Sequence, residues 1–191
     1  MKTLDLSASV RKETGKTFAK NMRKSALIPA NIYGGDQNLM ISVDEKELMK
    51  AIYTPNVYIV NLTVEGKVYS TVIKETQFHP VSDKVLHVDF LQISDKKKIT
   101  IGLPIVLDGQ AEGAKQGGKL VQVVRKLRVN GLAKDLPESI NIDVTDLGLG
   151  KSIMVGDLEF KKYSIAEPKS VVIATVKTTR AAKDAAVETK K

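Results

Sequence analysis

Runs of alternating or β-branched residues recur along most of the chain, and no other feature narrows its fold as much. In the first half they occupy residues 4–10, 41–43, 57–64, 68–74 and 85–93; in the second half, residues 99–107, 120–129, 140–144 and 171–176. Successive side chains of a strand point to opposite faces, so such runs suit sheets with one buried face. Glu65-Gly66-Lys67 supplies a hairpin-like break between two of them. Two windows switch to a helical period. From Thr17 onward, Phe18 and Met22 stand at i and i+4 and can pack inward together. Residues 44–53 form the second window, with Asp44 placed to cap it and Pro55 to stop it. The pattern predicts a mainly β protein: a small N-terminal β-barrel domain with two or more short helices, followed by a second all-β domain.

At 191 residues the chain can hold one large or two small cores. The charged run Asp95-Lys96-Lys97-Lys98 sits between two apolar strands and marks a boundary, giving domains at residues 1–94 and 95–177. Residues 178–191 alternate alanine with charge and offer only Val187 as a bulky apolar side chain. They are expected to form a disordered tail, because they bury too little to offset their ordering entropy. The start lacks the apolar core of a signal segment, and nothing later approaches the roughly 18 apolar residues of a membrane span. A soluble, cytoplasmic protein with no membrane partner is expected. The absence of cysteine excludes disulfides and thiolate metal sites.

A net charge of +8 and a pI near 9.5 favour a polyanionic partner. The charge is unevenly spread: residues 1–35 hold seven Lys/Arg against two Asp/Glu, whereas residues 36–94 hold five against eight. The excess lies in Arg11-Lys12-Glu13-Thr14-Gly15-Lys16-Thr17-Phe18-Ala19-Lys20-Asn21-Met22-Arg23-Lys24. Gly15 can break the preceding extended run. In the helix that follows, Lys16, Lys20, Arg23 and Lys24 fall opposite Phe18 and Met22, with no acidic i+4 partner. Pro29 is predicted to end this helix, since the residue before a proline avoids the helical region. A charge cluster is most often a solvated face. One apolar stripe opposite one all-cationic stripe is also what a short helix needs to lie along a polyanion.

Catalytic classes find little support. Gly15-Lys16-Thr17 resembles the end of a phosphate-binding loop, but the first glycine of that motif falls on Val10. Residues 113–119 do fit G-x-x-x-x-G-K, yet Leu120 occupies the position that needs a hydroxyl, and a strand-like run follows instead of a helix. Two flexible turns explain both fragments better. The chain has only His79 and His87 as imidazoles, no thiol, and no serine in a nucleophile-elbow setting. His79, His87 and Asp89 lack the spacing of a known metal site. No enzyme activity, cofactor, metal or small-molecule substrate is therefore expected.

Two positions stay ambiguous on the residues alone. Alternation along residues 85–91 places His87 and Asp89 on one strand face and Leu86, Val88 and Phe90 on the other. That pair is either a self-satisfied surface couple or a contact; a carboxylate beside RNA would have to accept from base amino groups or hold His87. Tyr33, beside Gly34-Gly35, is either a turn aromatic or a platform for a nucleotide.

The run R-K-x-x-G-K, K-x-x-R and I-P-A-x-I-Y-G-G, followed by Gln77-Phe78-His79-Pro80 and His87-Val88-Asp89-Phe90, resembles a known family. It is the 5S-rRNA-binding family of the bacterial large ribosomal subunit, the twenty-fifth of the large-subunit series, in its long, general stress protein Ctc form. Gly117-Gly118-Lys119-Leu120, residues 136–144 and residues 150–158 extend the resemblance through the second half. It implies a structural ribosomal protein whose first domain recognises loop E of 5S rRNA, with neighbouring large-subunit components as further partners. Carried onto this sequence, the RNA-binding residues are Arg11, Lys12, Gly15, Lys16, Lys20, Arg23, Tyr33, Gln77, His87 and Asp89. The cations would set affinity and register, while Gln77, His87 and Asp89 would favour specificity. Three positions depart from the family pattern: Thr17 and Ala26 stand where glycine is common, and Asn21 where a cation is common. The rival reading is a β-rich stress-response interaction module without specific RNA binding.

Overall fold

In the first half of the chain the elements run β1 (Thr3–Val10), α1 (Lys16–Lys24), β2 (Leu27–Tyr33), β3 (Leu39–Asp44), α2 (Glu45–Ile52), β4 (Ile59–Val64), β5 (Lys67–Phe78) and β6 (Val85–Gln92). A computed structural model describes residues 1–179 except 36, 55, 95, 96, 159 and 161. The described residues divide into two compact units, residues 1–99 with 132–138, and residues 100–131 with those from 139 to 179. The predicted tail falls largely outside the described residues, as do Asp95 and Lys96 of the boundary run.

The six strands of the first unit close into a barrel in the order β1-β3-β2-β6-β5-β4, sealed by parallel pairing of β1 with β4. Closure leaves no free sheet edge. Alternation fills the interior: Ile28, Ala30, Ile32, Ile41, Val43, Val60, Leu62, Val88 and Phe90 are all at most 2% exposed. Leu48 and Ala51 of α2 join the same core. Asp44 caps α2 as predicted, its Oδ1 accepting from the Lys46 and Glu47 N–H groups at 2.8 and 3.3 Å. Pro55, the predicted stop, lies outside the described residues.

Pro29 does not end α1. The helix stops at Lys24, and Ala26, at φ 58°, turns the chain through the left-handed region while its carbonyl accepts from the Glu45 N–H. Pro29 lies within β2, one residue before pairing with β6 begins at Ala30. There its missing N–H interrupts no bond of that ladder.

The second unit continues with β7 (Ile99–Asp108), α3 (Glu112–Lys115), β8 (Lys119–Gln122), β9 (Lys126–Gly131), β10 (Ile140–Asp143), β11 (Ser152–Met154), β12 (Ser164–Ile165) and β13 (Val172–Lys177). They form a four-stranded sheet, β10-β7-β9-β12, and a three-stranded one, β11-β13-β8. The run 120–129, read as one strand, is two, β8 and β9. The glycines of the G-x-x-x-x-G-K fragment have a packing role. A Cβ on Gly113 would meet the backbone of Gly148 and Leu149 at 2.6 Å, and one on Gly118 would meet Leu149 at 2.5 Å. Their bareness lets α3 sit against the following chain, which is not how a phosphate cradle uses glycine.

Candidate nucleic-acid interface

Helix α1 begins without a cap. Gly15 occupies the N-cap position at φ 112°, no side chain accepts from the first-turn N–H groups, and the first turn holds no acid. Nothing lies within 4 Å of where a Gly15 Cβ would sit. The free N–H groups and the positive end of the helix dipole face an open approach, a setting that attracts phosphate. Lys12, Lys16, Lys20 and Lys24 are exposed. On the opposite side Met22 is buried and Phe18 half-buried, which fixes the rotation of the helix. Arg23 leaves the solvated stripe: its Nε donates to the Leu86 carbonyl at 3.1 Å, joining the end of α1 to β6.

Beside this helix lies the outer face of β2, β6 and β5. Val88 and Phe90 point into the core, so His87 and Asp89 point out. A one-residue slip would expose Phe90 and Val88, each worth roughly 1.5 to 3 kcal/mol of burial, and bury a carboxylate. Register then assembles the face: Gln77 stands opposite His87, Glu75 opposite Asp89 on β5, and Asn31 opposite Asp89 on β2. Tyr33 follows two residues along β2. His87 Nδ1 lies 3.4 Å from Asp89 Oδ1. Burial pulls the His87 pKa below the ordinary histidine value; Asp89 opposes the shift, and Arg11 and Arg23 reinforce it. The imidazole is therefore neutral at pH 7, and with Nδ1–H toward Asp89 its Nε2 is left as an acceptor. Burial raises the Tyr33 pKa, with Asp89 and Glu75 adding to the rise, so the phenol keeps its proton as a donor. His79 stands apart in the turn after β5, its Nδ1 accepting from the Val81 and Ser82 N–H groups at 3.2 Å.

Residues 6–90 match the family model described as the ribosomal L25p family, and residues 98–180 match that of the ribosomal protein TL5 C-terminal domain. The large ribosomal subunit protein bL25 of Porphyromonas gingivalis is 46% identical over 190 residues, which cover 98% of this chain and 99% of that protein. The chain belongs to the ribosomal L25p family. The bL25 protein of Azobacteroides pseudotrichonymphae is 48% identical over 184 residues, 96% of this chain and 97% of that protein. For Bacteroides thetaiotaomicron bL25 the figures are 41% over 167 residues, 87% and 85%. L25p members are ribosomal proteins, not enzymes, and with both family models matched this chain is of the long form.

In this L25p barrel the ten residues singled out by sequence fall into two groups. Arg11, Tyr33, Gln77, His87 and Asp89 share the strand face, with Arg23 at its border, while Lys12, Gly15, Lys16 and Lys20 line the start of α1 and its exposed side. Gly34, at φ 93°, takes the left-handed backbone conformation that favours glycine just after β2. Sequence reasoning passed over Asn31 and Glu75. Asn31 carried a usable signal, the alternation of buried Ala30 and Ile32 with outward Asn31 and Tyr33, but Pro29 had obscured the strand. Glu75 carried none, because a bulge between Ile73 and Glu75 shifts its register.

Proposed function

We propose that this protein binds 5S rRNA through its first domain, residues 1–94, gripping the phosphate backbone with α1 and reading the irregular loop E with the outer face of β2, β5 and β6. As an L25p member it is a structural protein of the large ribosomal subunit, at work in the cytoplasm of a bacterium. The observation that carries the finer reading is the juxtaposition of two unlike surfaces: an uncapped lysine-lined helix start, and a strand face where Tyr33, Gln77, His87 and Asp89 mix donors and acceptors. Cations hold any nucleic acid; only hydrogen-bonding groups at fixed positions discriminate among bases. Regular A-form RNA hides its base edges in a deep, narrow major groove, so a rigid face of this kind is suited to an internal loop of non-Watson–Crick pairs. The second domain, residues 95–177, is left for contacts with other large-subunit components.

The test is retention of 5S rRNA over tRNA by the purified full-length protein at moderate salt, with crosslinks mapped on the protein. Selective retention with crosslinks at residues 11–33 and 77–89 is expected. Equal retention of both RNAs would return the charge to a solvated face and favour the interaction-module reading.

A further inference from the structure

We propose that Asn31 is a specificity-determining residue of this interface, one that together with Arg11 and Asp89 reads the edge of a single unstacked, amino-bearing base. The inference rests on the RNA-binding reading above and adds a residue and a ligand chemistry to it. Asn31 points outward from β2, in register between Met40 of β3 and Asp89 of β6. Its Oδ1 is buried and has no hydrogen-bond partner, and the same holds for Arg11 Nε. Both side chains line one cleft of about 370 Å³ with Tyr33 and Asp89, a size that suits a small planar ligand.

A buried carbonyl and a buried N–H left unmatched each carry a desolvation penalty, and native proteins rarely leave such groups without a partner. For folding alone, a β-branched apolar side chain at position 31 would serve better, since the position lies in a strand between buried neighbours. The polarity makes sense if a ligand completes it. That ligand must present an acceptor to Arg11 Nε–H and donors to Asn31 Oδ1 and the Asp89 carboxylate. A phosphate has no donor and is repelled by Asp89. An exocyclic amino group carries two N–H bonds, one for each acceptor, and the unprotonated ring nitrogen beside it is the acceptor Arg11 lacks. Adenine, cytosine and guanine meet this description; uracil, with one N–H, does not. Tyr33 borders the cleft as a stacking surface, the usual companion of single-base recognition in RNA.

The experiment compares full-length protein carrying Asn31→Val with the unaltered chain, by thermal unfolding and by 5S rRNA affinity over a series of salt concentrations. The expected result is a melting temperature unchanged or raised, an affinity for 5S rRNA reduced at least about tenfold, and an unchanged salt dependence because no phosphate contact is lost. A lowered melting temperature would assign Asn31 a structural role and overturn the proposal. So would an affinity within twofold of the unaltered chain. If the unaltered chain itself fails to prefer 5S rRNA over tRNA, the RNA reading falls and the Asn31 proposal falls with it; if it does prefer 5S rRNA and Asn31→Val binds equally well, only the proposal for Asn31 falls.

Discussion

Helix α1 and the outer face of β2, β5 and β6 adjoin one another, but they are built on opposite principles. The exposed lysines around the start of α1 are held by little: Lys12, Lys16 and Lys20 stand on long side chains at an uncapped helix start. The strand face is held by almost everything beneath it. Asn31 and Asp89 are each fixed by buried neighbours on their own strand and by register with two others, and His87, Gln77 and Tyr33 by register with one. Rigid placement is wasted on a point charge seeking a phosphate and required for a hydrogen-bonding group seeking a base edge. On the RNA-binding reading proposed above, affinity and discrimination fall to separate elements of one small domain.

Four experiments test that division. The largest effect is expected from replacing Lys12, Lys16 and Lys20 together with alanine. At about 1 kcal/mol per exposed charge contact, 5S rRNA affinity should fall about 100-fold, and the salt dependence should flatten by up to roughly one unit of log-log slope per contact. Preference for 5S rRNA over tRNA should survive; its collapse would show that α1 discriminates as well as attracts.

Asp89→Asn should do the reverse. It removes a negative charge beside a polyanion, so a purely Coulombic face would bind more tightly afterward. If Asp89 accepts from base amino groups or orients His87, binding to intact 5S rRNA should weaken by roughly 1 to 3 kcal/mol. RNA whose loop E is replaced by regular helix should lose little. Tighter binding to both RNAs, with circular dichroism unchanged, would make Asp89 a bystander.

A smaller effect is expected from pH. The folded state lowers the His87 pKa below its ordinary value, so in the window beneath about pH 6.5 the unfolded chain binds more protons than the folded one. Stability is then full above that window and declines as pH falls through it. Melting temperatures measured from pH 7.5 to 5.5 should fall, and His87→Gln should flatten the decline. A decline of equal size in the variant would place the responsible group elsewhere.

The smallest effect concerns the joint between helix and sheet. Ala26 takes φ 58° in the turn from α1 to β2, a region that costs a non-glycine residue about 1 kcal/mol. Ala26→Gly relieves that strain but adds chain entropy to the unfolded state, so a net gain of only about 0.5 kcal/mol is expected in denaturant unfolding. A loss of stability would mean that the turn tolerates alanine without strain.

Much of this was readable from the chain. The alternation of residues 85–91 put His87 and Asp89 on one face before any fold was known, because a strand's side-chain period is a local property. Asp44 was identified as a cap for the same reason: it needs only the N–H groups two and three residues on. The spacing of Phe18 and Met22 oriented α1 and so exposed its lysines. β2 was lost because Pro29 looked like a terminator, and whether a proline ends a helix or sits within a strand depends on where its neighbours pair.

Local pattern, then, set the inward and outward faces of β6 and α2 and the apolar stripe of α1, and with them most of the chemistry of both surfaces. Tertiary structure alone decided which surfaces meet. Parallel pairing of β2 with β6 and of β1 with β4 joins strands about sixty residues apart in the chain, and no local pattern encodes such partners. That closure sets Asn31 beside Asp89, and it leaves the Arg11 and Asn31 polar atoms buried without partners in one cleft. Arg23 shows the limit most plainly. Helical spacing assigned it to the solvated stripe, yet the Leu86 carbonyl that holds it belongs to a strand sixty-three residues away.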